Sequence, residues 1–295
     1  MTRATIEFQG SLVKAKPHNP YNKKIAPVTS TRGTVKEFTS KSRGRMLEKV
    51  ARLEVAEKVD FVTLTFDDDT IPHNSIELQS HLRALWEYLR RHHEGCSALW
   101  RIELEVRQSG IYKGHIAPHV HLLIWGASFT RPDFPGHKYS GELCDEWSRI
   151  VTRDNPELSQ KVADGYRLRT DYKELKGNRG VMYYVSKYCA KVSKPFAMKD
   201  AILVYLPYSH EGRFWGVFQA NKLPFASLTV VTLEDDAWVY GEFKSECTAE
   251  YYQLHFYGEY QGFKLFTDDA RDYLLLLQHL LDDLWYAPYY RDIEM

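Results

Sequence analysis

His119 and His121 stand one residue apart in "HIAPHVHLLIW" (115–125). On a strand, residues i and i+2 point to the same face. The two imidazoles therefore project side by side, while Val120 and Leu122 point the other way. Two imidazoles on one face make two legs of a metal site. A lone His-x-His is more often a pair of partly buried structural histidines. Here an apolar run follows the pair, so the histidines mark the polar end of a buried strand. The preceding strand-like segment, "ALWRIELEVRQSG" (98–110), carries Glu103, Glu105 and Arg107 at the same period. Folded back as a hairpin, it brings carboxylates beside the imidazoles. Two histidines and a carboxylate with open coordination positions suit a catalytic divalent cation, Mg²⁺ or Mn²⁺, and mixed imidazole and oxygen donors lean toward Mn²⁺. His115 sits in the intervening loop and is the weaker candidate, exposed or supporting.

A second constellation lies in "VMYYVSKYCAK" (181–191). Tyr184, Lys187, Tyr188 and Lys191 fall at i, i+3, i+4 and i+7, one stripe of a helix. Val181, Val185, Cys189 and Val192 form the adjacent stripe, the natural core face. A tyrosine oxygen can attack a phosphodiester and hold the cleaved strand covalently. Near neutral pH the phenol is protonated, its reference pKa being about 10. It needs a metal that polarises the phosphate, and cations nearby. Lys187 and Lys191 can supply charge and grip phosphate oxygens. One tyrosine on a surface helix would mean little; two overlapping Tyr-x-x-Lys units are harder to dismiss.

These groups need a scaffold, and the patterning predicts one. Residues 42–58 have helical spacing, "DFVTLTFDDD" (60–69) alternates as a strand, and 74–93 reads as a helix capped by Asn74 with Glu77 three residues on. Residues 98–110 and 119–127 read as paired strands, 140–153 and 177–194 as helices, "AILVYLPY" and "RFWGVFQA" as short strands. Residues 267–287 read as an apolar-faced helix with Thr267 as its cap. Strands and helices are mixed around an antiparallel centre, which predicts an α+β fold with helices against an antiparallel sheet.

Composition bounds the partners. The 295 residues are enough to bury a real core. No apolar window reaches membrane-spanning length and the N-terminus lacks a signal-peptide core, so no membrane partner is expected. Cys96, Cys144, Cys189 and Cys247 lie far apart, which excludes a zinc ribbon and fits a reducing, cytoplasmic setting. The net charge of zero hides an asymmetry. Residues 1–50 hold 11 Lys/Arg against 3 Asp/Glu, while 232–295 hold 4 against 14. The basic front, with Arg43 and Arg45, is a candidate for phosphate contacts, as is Arg107; the acidic end should avoid nucleic acid. Trp125 and Trp215 are aromatics that could stack bases, though core packing is their commoner role. The reading divides the chain into an irregular basic arm (1–30), a catalytic domain (31–231) and an acidic segment (232–295).

The set resembles the HUH endonucleases, and most closely the two-tyrosine rolling-circle replication initiators of plasmids and single-stranded DNA phages. "FVTLTF" (61–66) looks like the first motif, "PHVHLLIW" (118–125) like the His-hydrophobic-His motif, and "YVSKYCAK" (184–191) like the tyrosine motif. "WRIELEVR" (100–107) resembles the segment bearing the acidic ligand, and "GRFWGV" (212–217) a stretch after the tyrosine helix. The likeness covers roughly residues 30–225. It implies a central antiparallel sheet of about five strands with flanking helices, the HUH or RRM-like arrangement. It implies cleavage of single-stranded origin DNA by Tyr188, with Tyr184 second, through a 5′-phosphotyrosine on a site with Mg²⁺ or Mn²⁺. The long insert before His119 leaves either Glu103 or Glu105 as the carboxylate ligand: family spacing favours the first, closeness to the turn the second. No Walker segment is present, so a host helicase and polymerase are the expected partners; the sequence leaves the oligomeric state open. The alternatives are a relaxase or transposase of the same superfamily, a metal-dependent hydrolase without a covalent step, and a non-catalytic origin-binding repressor.

Overall fold

A computed structural model describes residues 3–17, 38–54, 59–107, 113–127, 129, 141–175, 181, 214–234, 237–250 and 262–291. They are α+β, arranged in two compact units.

The larger unit spans residues 30–46 and 56–223. Its centre is a five-stranded antiparallel sheet, as expected, of β3 (Val59–Leu64), β4 (Ser97–Val106), β5 (Ile116–Trp125), β6 (Thr170–Leu175) and β7 (Trp215–Phe218). The order is β6-β3-β5-β4-β7, which puts the histidine strand in the middle. One face is apolar for a simple reason: the even positions of β3, β4 and β5 carry Val62, Leu64, Trp100, Ile102, Val120, Leu122 and Ile124. Two helices close over it. α2 (Ser75–His92) contributes Leu78, Leu82, Leu85 and Leu89, the i, i+4, i+7, i+11 stripe of an amphipathic helix. α3 (Glu142–Thr152) contributes Leu143, Trp147 and Ile150, and the Trp147 indole N–H donates to the Thr65 carbonyl at 2.9 Å. Asn74 caps α2 as predicted, its side chain accepting from the N–H groups of Ile76 and Glu77. Glu77 in turn accepts from the backbone N–H of His73. The short α4 (Pro156–Ala163) and strand β6 were not anticipated from the patterning. The predicted 177–194 helix and "AILVYLPY" strand lie outside the described residues, apart from helical, buried Val181.

The smaller unit joins residues 1–29, 47–55 and 224–295. Of the irregular arm expected over 1–30, the described residues 3–17 are instead regular. Ala4–Gln9 (β1) and Leu12–Pro17 (β2) are strands, hydrogen-bonded to β8 (Thr229–Leu233) and β9 (Phe263–Phe266) in the order β8-β1-β2-β9. The signal was present: "ATIEFQ" alternates and Gly10-Ser11 is a two-residue hairpin turn. Gly10 has φ 57°, and a Cβ there would lie 2.6 Å from the Ala51 and Leu53 carbonyl oxygens. α5 (Ala237–Glu250) and α6 (Ala270–Arg291) cover the sheet with Val239, Phe243, Tyr273 and Leu277. α6 begins later than expected, and Asp269, not Thr267, accepts a first-turn N–H, that of Arg271. The basic front and acidic end are thus strands of one sheet.

Their charges meet at the end of α1 (Ser40–Ala51). Burial pushes the Glu48 carboxyl up, but hydrogen bonds from Lys14 and Lys264 outweigh it and set its pKa at about 2. The unfolded value is 4.5. The unfolded chain therefore binds more protons between those two values, and stability rises with pH across that window. Glu48→Gln is expected to remove that dependence and to lower stability at neutral pH by about 2–3 kcal/mol: the fall from 4.5 to about 2, at about 1.4 kcal/mol per pKa unit, gives about 3.5 kcal/mol, which solvent screening of this partly buried group reduces. Urea unfolding of both proteins at neutral pH and near pH 3 measures it; parallel losses on acidification would refute the assignment.

Candidate metal and nuclease centre

The second face of the five-stranded sheet carries the polar groups. β4 and β5 pair antiparallel with Glu103 opposite His119, Arg101 opposite His121 and Glu105 opposite Ala117. The hairpin prediction is correct, and its phase places all four candidate ligands on one face. The contacts run diagonally across the pair. His121 Nε2 lies 2.8 Å from Glu103 Oε2, and His119 Nε2 lies 3.8 Å from Glu105 Oε2. The site is two His–Glu pairs set side by side.

They differ in burial. The His121 and Glu103 side chains are 9% and 7% exposed, those of His119 and Glu105 26% and 47%. The strand lengths explain this. β3 pairs with β5 only from Val120 to Ile124, so β5 has one neighbour, β4, at His119 and beyond. Pro118, which has no N–H to give, sits in that one-sided stretch. β5 also starts at Ile116, so the histidines lie inside the strand rather than at its head.

His121 is held from three sides. Thr63 Oγ1 on β3 is 3.0 Å from Nδ1, Glu103 faces Nε2, and the Phe61 ring stacks on the imidazole at 5.8 Å and 12°. The hydroxyl leaves Nε2 as the nitrogen that faces the carboxylates. Burial pushes the His119 pKa down, against the pull of Glu105. That favours the neutral imidazole a metal requires.

Other candidates fall into place unevenly. Arg107 donates to the Phe66 carbonyl at 2.8 Å and pairs with Asp68, so it ties the end of β4 to the turn after β3. Phe38 covers the buried Arg101 guanidinium at 4.8 Å, and Ser42 accepts from the Trp215 indole N–H at 2.8 Å. Arg101 and Trp215 face each other across β4 and β7. The start of α1 therefore runs over the histidine face, with Arg43 half-buried and Arg45 exposed behind it. Trp125 is buried. Tyr184, Lys187, Tyr188 and Lys191 lie outside the described residues. Sequence reasoning missed Thr63, Phe61 and Arg101; the alternation of 61–63 in phase with 119–121 was the available signal for the first two.

Among the described residues no three His, Cys, Asp or Glu side chains already converge as a ready metal cage. The donor chemistry nevertheless fits a divalent cation. Two imidazoles and two carboxylates share a face, and cation binding would replace the His121–Glu103 hydrogen bond with coordination by the same atoms. Cys96 and Cys144 are buried thiols of this unit, and Cys247 is a buried thiol in the core of the smaller one.

Residues 59–193 match the model of a replication-associated protein family, the ORF2 type. The span opens at β3, contains both His–Glu pairs and ends beyond Lys191; it is under half the chain. The match supports a replication initiator of Rep type, a family whose role implies origin DNA as partner. No curated protein and no solved structure matches the chain. No helix among the described residues is long and apolar enough to cross a membrane.

Proposed function

We propose that this protein initiates rolling-circle replication by nicking and rejoining single-stranded origin DNA through a tyrosine-linked intermediate. The observation that carries this reading is the pair of His–Glu contacts on the central strands, within a matched span that runs on through Tyr184–Lys191. His119, His121 and Glu103 would hold Mg²⁺ or Mn²⁺, with Glu105 at the open side. When bound, the cation withdraws charge from the scissile phosphate. Tyr188 Oη gives up its proton and attacks phosphorus, the bond from phosphorus to the 3′ oxygen breaks, and that oxygen takes up a proton and leaves as a 3′-hydroxyl, with no net change in protons. The strand stays on the enzyme by its 5′ phosphate. Tyr184 attacks the regenerated junction after one round, and the released 3′-hydroxyl frees the first tyrosine. Lys187 and Lys191 would hold phosphate oxygens, and Arg43 and Arg45, on the same helix as Ser42, would contact the backbone of the strand. The free 3′-hydroxyl would prime a host polymerase, with a host helicase opening the duplex.

The test is a denaturing gel of protein incubated with single-stranded origin oligonucleotides. An adduct with Mn²⁺ that EDTA abolishes supports the reading. Tight binding with no adduct on any strand refutes it and favours the repressor. Thr63→Val gives a second check. It removes the oxygen that positions His121 with little change in shape, and should raise the Mn²⁺ concentration for half-maximal adduct by about 10- to 100-fold. Adduct at saturating Mn²⁺ should recover. An unchanged Mn²⁺ midpoint would show that Thr63 does not position the ligand.

A further inference from the structure

The opposite side of the same unit carries a second charged feature that the nicking chemistry does not use. α2 and α3 lie side by side, and their outward surfaces bound a cleft of about 530 Å³. Arg83, Arg91, Arg149 and Arg153 line it against Glu87 and Glu146. Two of these guanidinium groups are held in place. Arg149 forks onto Glu146, with N–O distances of 2.8 and 2.5 Å. Arg153 donates to Ser80 Oγ at 2.7 Å and to exposed Asp154 at 3.1 Å. The other two keep most of their donors for solvent. Arg83 is exposed and reaches only the Gln79 carbonyl, at 3.4 Å, with no carboxylate partner among the described residues. Arg91 is 74% exposed and stands 3.9 Å from Glu87, which already binds Arg90.

Four cations against two anions leave the lining positive, and planar N–H forks match phosphate oxygens. The two aromatic rings that line the cleft, Tyr88 and His92, are engaged with each other. The Tyr88 ring lies against His92 at 4.6 Å, and its hydroxyl donates to Glu142. Single strands are retained by stacking bases on aromatic side chains, whereas a duplex presents its phosphates. The cleft also lies on the helical side of the sheet, away from the strand at His119 and His121. Resting on the DNA-nicking reading above, we propose that the α2–α3 cleft binds the phosphate backbone of duplex DNA, separately from the strand being cut. The initiator would hold double-stranded origin on its helices while the histidine face takes the unpaired strand.

The experiment compares the full chain with Arg83→Ala/Arg91→Ala by fluorescence anisotropy, on a random-sequence duplex and its single strand, across a salt series. Both side chains are exposed, so the fold should survive; a matched thermal melt verifies this, and Arg83→Glu alone serves if it does not. The expected result is about a tenfold loss of duplex affinity and a salt slope shallower by about 2, one unit per phosphate contact removed. Single-strand affinity and adduct formation should be unchanged, and Arg83→Lys/Arg91→Lys should restore most of the duplex binding. No loss, or an equal loss on both DNA forms, overturns the proposal. So does poly-glutamate that binds as tightly as the duplex and is lost in the same variant, which would make the cleft a dock for acidic protein. Adduct formation is read in the same preparations. No adduct with the wild-type protein, together with the duplex-specific loss in the variant, would sink the nicking reading and leave the cleft assignment standing.

Discussion

Tyr188→Phe is expected to form no covalent adduct on origin single strands, a loss on the order of 10³-fold or more, because the attacking oxygen itself is gone. Phenylalanine keeps the ring and any packing it makes, so binding of uncleaved DNA should be unchanged. Tyr184→Phe should still give the adduct in a single turnover and fail only in closing circles over repeated rounds. The two-tyrosine reading makes that asymmetry its signature. If Tyr184→Phe abolishes the first adduct and Tyr188→Phe does not, the roles exchange. If the double variant Tyr184→Phe/Tyr188→Phe still cleaves, the reaction is a metal-dependent hydrolysis without a protein link, and the tyrosine stripe belongs to the surface.

The second large effect concerns which carboxylate matters. Glu103 is nearly buried and 2.8 Å from His121, while Glu105 is half-exposed and 3.8 Å from His119. Glu103→Gln keeps the volume and one hydrogen-bonding oxygen but removes the charge. It should reduce adduct formation by about 100-fold and raise the Mn²⁺ requirement, since a neutral amide is a poor ligand for a hard cation. Glu105→Gln should cost less than about tenfold, because a solvated carboxylate at the open side can be replaced by water. A Mn²⁺ titration of adduct formation separates weakened binding from lost chemistry. Equal effects of the two substitutions would mean that both carboxylates share the cation.

Particular residues show what was legible beforehand. The phase of His119 and His121, and of Glu103 and Glu105, follows from the two-residue period of a strand, and their adjacency in sequence made the hairpin between them legible. The α2 cap at Asn74 and its apolar stripe were equally local. The edge of β5 at Pro118 was not visible, because it depends on where β3 stops. The stretch from Ala4 to Pro17 was misread as an arm although its hairpin is local, because the strands that make it part of a sheet, β8 and β9, lie over two hundred residues away. The charge contrast between the chain ends invited a picture of separate segments, and the Glu48 cluster shows them joined.

The sequence by itself determined which side chains share a face, since backbone geometry sets that within one element. It therefore contained the paired imidazoles, the phased carboxylates and the α+β class. Only the tertiary structure decided which elements became neighbours: Thr63 against His121 across 58 residues, Arg101 beneath Phe38, and arginines of α2 and α3 around one cleft. The reason is that an apolar face specifies only that it must be covered. What covers it is settled by the lowest free energy of the whole chain, through packing and hydrogen bonds that no local window contains.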